Sequence, residues 1–231
     1  MAFNEGQATS ASSRSGDAKF GEAPLDQTVA AAGAIRRLSS LLLSLEHSHP
    51  TVDVMLAKFD EWESELAAAA PTDSAPRIGE VDDDPRRVYL SHATDIGAYN
   101  PCFPEYSFDH LDAENAAGRI AFPLVYEGPP GLVHGGFLAV FFDAIIQHHN
   151  CVTGTSGKTR GLSVTYRRPT PLLTELRFDI VRSQVERGNA STARLLLDDE
   201  VLCIGEVDTL ASPAEKLAGT LFGRRRKESD R

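Results

Sequence analysis

The chain has 231 residues, 42% of them hydrophobic, which suits one sizeable domain plus an extension. A formal charge of −10 argues against a nucleic-acid binder, whose footprint would be basic. The charge is uneven: residues 1–85 hold fifteen Asp/Glu against six Lys/Arg, which leaves the remainder close to neutral.

Residues 1–24, rich in Ser, Ala, Gly and charge, read as a disordered N-terminus. Residues 25–70 read as a helical hairpin. Ile35, Leu38, Leu42 and Leu45 recur at steps of three and four, Pro50 punctuates, and Val52, Met55, Leu56, Phe59, Trp62 and Leu66 mark a second amphipathic helix. Such a hairpin is too small to fold alone, so its apolar faces are expected to dock on its own domain or on a neighbouring subunit. Residues 71–86, with Asp82-Asp83-Asp84, read as an acidic linker.

Strand signals dominate residues 87–212. Short candidates at 87–91, 105–110 and 118–124 precede a nearly all-apolar helix at 135–150. Segments 159–168, 175–185, 190–197 and 201–210 then form hairpins turned at Arg187-Gly188-Asn189 and Asp198-Asp199. One apolar helix within a series of antiparallel strands implies an α+β domain, a sheet wrapped around a buried helix. Residues 213–231 form a basic polar tail. Cys102, Cys151 and Cys203 make no Cys-x-x-Cys, so free thiols in a reducing compartment are expected rather than disulfides or zinc. The N-terminus has no apolar signal core, and Leu41–Leu43 falls far short of the ~20 residues of a membrane span, so a soluble, cytoplasmic protein is expected.

The chemistry concentrates in residues 127–143. A Pro129-Pro130 turn delivers the backbone to His134, Gly135 and Gly136 at the start of the apolar helix. The first turn of a helix leaves N–H groups without partners and carries partial positive charge, and glycines there admit a ligand carbonyl. Asp143 then interrupts the apolar run Phe137–Ile146, a costly placement unless the carboxylate is paired, hydrated or used. An oxyanion-type helix start with a lone acid points to acyl-transfer chemistry. Gly135 and Asp143 lie eight residues apart, roughly 12 Å along one helix. Reacting atoms must approach to about 3–3.5 Å, so the two can serve one carbonyl only if a second copy supplies the other half.

His134-Gly135-Gly136, Asp143, Thr159 and the run Val164-Thr165-Tyr166-Arg167-Arg168-Pro169-Thr170-Pro171-Leu172 together resemble the hotdog-fold acyl-CoA thioesterases. The phenylacetate-pathway type is nearest, and Glu127-Gly128-Pro129-Pro130-Gly131 resembles the branch that includes thioesterase superfamily member 4. The resemblance spans roughly residues 87–211. It implies a hotdog fold and hydrolysis of an acyl-CoA to a free acid and coenzyme A, with no metal and no cofactor beyond the substrate's own coenzyme A. It also implies a homodimer, or a dimer of such dimers.

On that resemblance the Gly135 N–H binds the thioester oxygen and Asp143 is general base for a water or the attacking nucleophile. Thr159 positions the water, and His134 either orients substrate or is a buried structural residue, with Gly136 beside it at the substrate. Glu127 stands where some members carry an Asn or Gln, and it either orients His134 or solvates the loop. Lys158, Arg160, Arg167 and Arg168 flank the following strand as candidates for coenzyme A phosphates. His148, His149 and Asn150 read as cap and packing residues. Two other readings are a hotdog hydratase or dehydratase, for which Asp143 lacks an evident histidine partner, and a non-catalytic acyl-CoA-binding or scaffold protein.

Overall fold

The computed structural model describes residues 22–23, 25–70, 88–89, 96–153 and 157–211. The acidic linker and the basic tail lie outside the described residues, as does most of the N-terminal segment. Two residues of that segment expected to be disordered are in fact paired: β1 (Glu22–Ala23) lies antiparallel to β2 (Val88–Tyr89).

Two helices follow β1, α1 (Asp26–Leu43) and α2 (Pro50–Ala69), close to where the apolar spacing puts them. Pro50 starts α2, where its missing N–H costs nothing, and the His49 side chain accepts the Thr51 N–H. The two helices do not clasp each other, and no residue of α2 is buried. Of the two expected docking places for the apolar seams, the described residues of the chain's own domain do not cover them: Leu38 is 40% and Trp62 49% exposed. On α1 the inward side is the one that carries Arg36, which is buried. Its guanidinium donates to the carbonyls of Asn100 (3.1 Å) and Phe103 (3.3 Å) and pairs with Glu105. Ala32 and Arg36 thus lie toward α3 (Ile96–Tyr99) and the short 3-10 turn at Leu124–Tyr126, with Ile35, Leu38 and Leu42 outward.

The rest is one antiparallel sheet and one long helix. The strands are β3 (Tyr106–Leu111), β4 (Asn115–Ala121), β5 (Gly157–Tyr166), β6 (Glu175–Val185), β7 (Gly188–Leu197) and β8 (Glu200–Ala211), in the order β3-β4-β6-β7-β8-β5. The third candidate strand thus starts three residues early and ends before Leu124, which belongs to the 3-10 turn. Along β6 burial alternates as a pleat requires, with Leu176, Phe178 and Ile180 inward.

The helix α4 (Gly135–Val152) lies on that inward face with Leu138, Phe141, Phe142, Ile145 and Ile146 buried. Contact is close enough to require glycine at one position. A Cβ on Gly205 of β8 would come within 2.3 Å of the Phe142 ring. This seating fixes the rotation of α4 and so the direction of Asp143, the next residue. Strand β5 is an edge of the sheet and is largely exposed.

Candidate active site

Backbone bonds position the start of α4 from two sides. The His134 N–H donates to the Tyr126 carbonyl (2.9 Å), and the Val133 N–H to that of Thr170 (2.9 Å). In the preceding loop Gly131 adopts φ 78°, a left-handed conformation natural to glycine, and its N–H donates to the Glu127 carboxylate at 2.7 Å. Glu127 therefore braces its own loop, a role that neither of its two sequence readings described. His134 takes the N-cap position, and its Nδ1 accepts the Gly136 N–H at 3.0 Å.

The two glycine donors are thereby distinguished. Gly136 spends its N–H on His134, whereas the Gly135 N–H has no hydrogen-bond partner among the described residues. Gly135 is held from its other end, since the Tyr166 hydroxyl, at the close of β5, donates to its carbonyl at 2.9 Å. Beside Gly135 opens a cleft of about 430 Å³, walled by Leu132, Val133, Leu138 and Pro169 and rimmed by Arg167 and Arg168.

Asp143 lies two turns further along α4, half-buried. Its Oδ1 accepts the Thr159 hydroxyl at 2.6 Å, and the Thr159 oxygen in turn accepts from Gln147 Nε2 at 2.6 Å. Thr159 is thus bound to the carboxylate itself. Gly135 and Asp143 sit on one unbroken helix, which keeps them roughly 12 Å apart. The chain thus carries a cleft lined by Gly135 and, separately, the Asp143 carboxylate.

The candidate cations divide likewise. Arg167 and Arg168 reach the cleft rim; Arg168 is tied to Glu200 at 2.8 Å, while the Arg167 side chain has no partner among the described residues. Arg160 pairs with Asp208 (3.4 Å), and neither it nor Lys158 lines the cleft. Sequence reasoning missed Gln147 and the hydroxyl of Tyr166. The signal for Gln147 was its place four residues after Asp143, on the same helix face.

The histidines near the end of α4 are packing groups. His148 Nδ1 meets the Tyr106 hydroxyl at 3.0 Å, and His149 Nε2 meets the Asp112 carbonyl at 2.7 Å. His149 Nδ1 is buried without a partner, as a neutral ring tolerates and an imidazolium does not. Burial pushes both imidazoles below their ordinary value; neighbouring charge adds to it, from His149 on His148 and from Arg182 on His149. The unfolded chain, with histidines near ~6.5, then binds more protons than the folded one below that pH. Their contribution to stability is present above about pH 6.5 and lost as pH falls below it. Asp112, held at about 2 chiefly by the N–H groups of Glu114 and Asn115, stays ionised throughout that window. The thermal midpoint is expected to fall as pH drops below about 6.5, with a shallower slope in a His148→Gln, His149→Gln variant. Equal slopes in the two proteins would contradict this.

No family model matches the chain. Among solved structures, a thioesterase superfamily protein superimposes with a TM-score of 0.65 at 24% identity, over 83% of this chain and 99% of its own. Mouse thioesterase superfamily member 2 matches at 14% identity over 46% and 82%, with a TM-score of 0.43. A hypothetical thioesterase from Streptococcus pneumoniae, solved with coenzyme A, matches at 15% over 47% and 90%, with a TM-score of 0.45. The fold of this chain is the hotdog fold found in thioesterase superfamily proteins. The likeness to the first of these structures covers more of the chain than the sheet and α4 make up, so it extends beyond them.

Proposed function

We propose that the protein is an acyl-CoA thioester hydrolase whose active sites each form from two copies of the chain. The observation that carries this reading is the Gly135 N–H, without a hydrogen-bond partner among the described residues, on a residue that lines an apolar-walled cleft with Arg167 and Arg168 at its rim. An acyl or pantetheine chain suits the walls, and phosphate suits the guanidinium groups. As water attacks the thioester carbon, the carbonyl oxygen gains charge, and a single preorganised N–H there is worth ~3 kcal/mol. Asp143 of the other copy takes the water's proton, or attacks directly through its carboxylate; collapse of the tetrahedral species expels coenzyme A as thiol. No cofactor is needed.

The second copy approaches along the exposed edge strand β5, which carries both Thr159 and Tyr166. The segment from Glu127 to Gly131 supports the branch that includes thioesterase superfamily member 4, and the free Cys102, Cys151 and Cys203 support a reducing, cytoplasmic setting. Within one chain, among the described residues, the geometry gives Asp143 no histidine partner of the kind a hydratase uses. Asp143 is bonded to Thr159, and His148 and His149 are engaged with Tyr106 and Asp112.

The test is release of free thiol from acyl-CoAs of graded chain length, followed with a thiol-reactive dye. Turnover that depends on chain length is expected. Binding of acyl-CoA without thiol release at any length would instead favour the non-catalytic reading.

A further inference from the structure

Gln147 stands one helical turn beyond Asp143, at the end of the apolar run of α4, and its side chain crosses to Thr159 on β5. Two bonds of 2.6 Å meet at the Thr159 oxygen, one from Gln147 Nε2 and one to Asp143 Oδ1. A hydroxyl has one hydrogen to give, a carboxylate can only accept, and an amide nitrogen can only donate. The three groups therefore fit one arrangement: Gln147 donates to Thr159, and Thr159 donates to Asp143. This is the hydrogen bond Gln147 makes among the described residues.

We propose that Gln147 is a positioning residue for the hydrolysis, fixing the direction of the Thr159 hydroxyl so that one oxygen of Asp143 is held and the other is left to meet water. The proposal rests on the reading of Asp143 as the reacting carboxylate. In this proposal Gln147 acts through Thr159, the group its amide reaches. Without it the hydroxyl can rotate away, Asp143 gains a second rotamer, and the fraction of time spent aligned falls. Charge-assisted bonds of this kind are short and directional, so loss of their polarity matters more than loss of volume.

Glutamate in place of glutamine separates polarity from shape. At neutral pH the new carboxylate cannot donate, so it competes with Asp143 for the one hydrogen of Thr159 and sets a like charge nearby. Gln147→Met, similar in size and unable to donate, removes the bond without reversing it. The expected order of kcat is wild type, then Gln147→Met, then Gln147→Glu, with ~tenfold between the last two and KM little changed. The acid limb of the pH–rate profile should move up by about one unit in Gln147→Glu and stay in place in Gln147→Met, because a like charge disfavours ionisation of the base. Thr159→Val should abolish the relay, so that adding Gln147→Met to it costs nothing further.

Equal losses in Gln147→Met and Gln147→Glu with unmoved pH profiles, or losses that multiply in the double variant, would show a merely structural contact and overturn the proposal. Asp143→Ala, measured alongside, separates the two levels. If Asp143→Ala is inactive while both Gln147 variants match wild type, the positioning role alone fails. If Asp143→Ala retains wild-type turnover, the underlying reading fails as well. Folding of each variant is checked by circular dichroism and thermal midpoint, and Gln147→Met keeps the test open should Gln147→Glu not fold.

Discussion

Asp143→Asn lowers kcat by about three orders of magnitude, while acyl-CoA binds nearly as well as before. The substitution keeps the shape of the side chain, and its carbonyl can still accept the Thr159 hydroxyl that now reaches Oδ1 at 2.6 Å. What disappears is the charge, and with it the ability to take a proton from water or to attack carbon. Steady-state rates give kcat, and titration with a non-hydrolysable acyl-CoA analogue gives affinity. Asp143→Ala should be as slow or slower, since it also frees Thr159 and Gln147. Retention of more than about a tenth of wild-type kcat in either variant would remove Asp143 from the chemistry, since a general base is worth ~10²–10⁴-fold.

The second large effect is expected at Gly135. Its position as first residue of α4 permits an unusually clean substitution, Gly135→Pro. Proline is at home at the first helical position, where no intrahelical bond uses the N–H, and its ring is preset to a helical φ. His134 before it already has φ −66° and ψ 132°, the extended conformation that a following proline requires. The variant therefore deletes the oxyanion donor and little else of the helix. One neighbour must yield: a Cβ at this position comes within 3.0 Å of the Tyr166 hydroxyl, and Tyr166, 55% exposed, has room to move. A loss of ~10²–10³ in kcat is expected with helix content unchanged. Pairing the change with Tyr166→Ala removes the crowding ring, whose Cζ and Cε1 lie 3.1 and 3.3 Å from that Cβ, beside the hydroxyl. If that pairing restored activity, the donor role of Gly135 would be wrong and the crowding would account for the loss.

Where the sequence was legible, one period dominated. The apolar run of α4 and the alternation along β6 each admit one buried face, so both elements appear close to their expected bounds. His134, Gly135, Asp143 and Thr159 follow, because the helix and the next strand place them in turn. Less was visible where a polar side chain chose its partner across the fold. The apolar spacing of Ile35, Leu38 and Leu42 gave no sign of Arg36, whose bonds to the Asn100 and Phe103 carbonyls lie on the inward face of α1. The roles of Gln147 and Tyr166 depend on β5 lying against α4, a tertiary fact with no local periodicity. Neither reading of Glu127 anticipated that its carboxylate accepts the Gly131 N–H at 2.7 Å, a bond set by the shape of the turn.

The division of the site between two chains can be tested with the two inactive variants together. Asp143→Ala chains and Gly135→Pro chains, differently tagged, are co-expressed and the mixed dimer is purified through both tags. In that dimer one site combines an intact Gly135 with an intact Asp143, and the other has neither. Thiol release from an acyl-CoA at about half the wild-type rate per dimer is the expected result, with both parent homodimers inactive. A mixed dimer as inactive as its parents, or a monomeric wild-type chain that turns over at full rate, would contradict a site built from two copies.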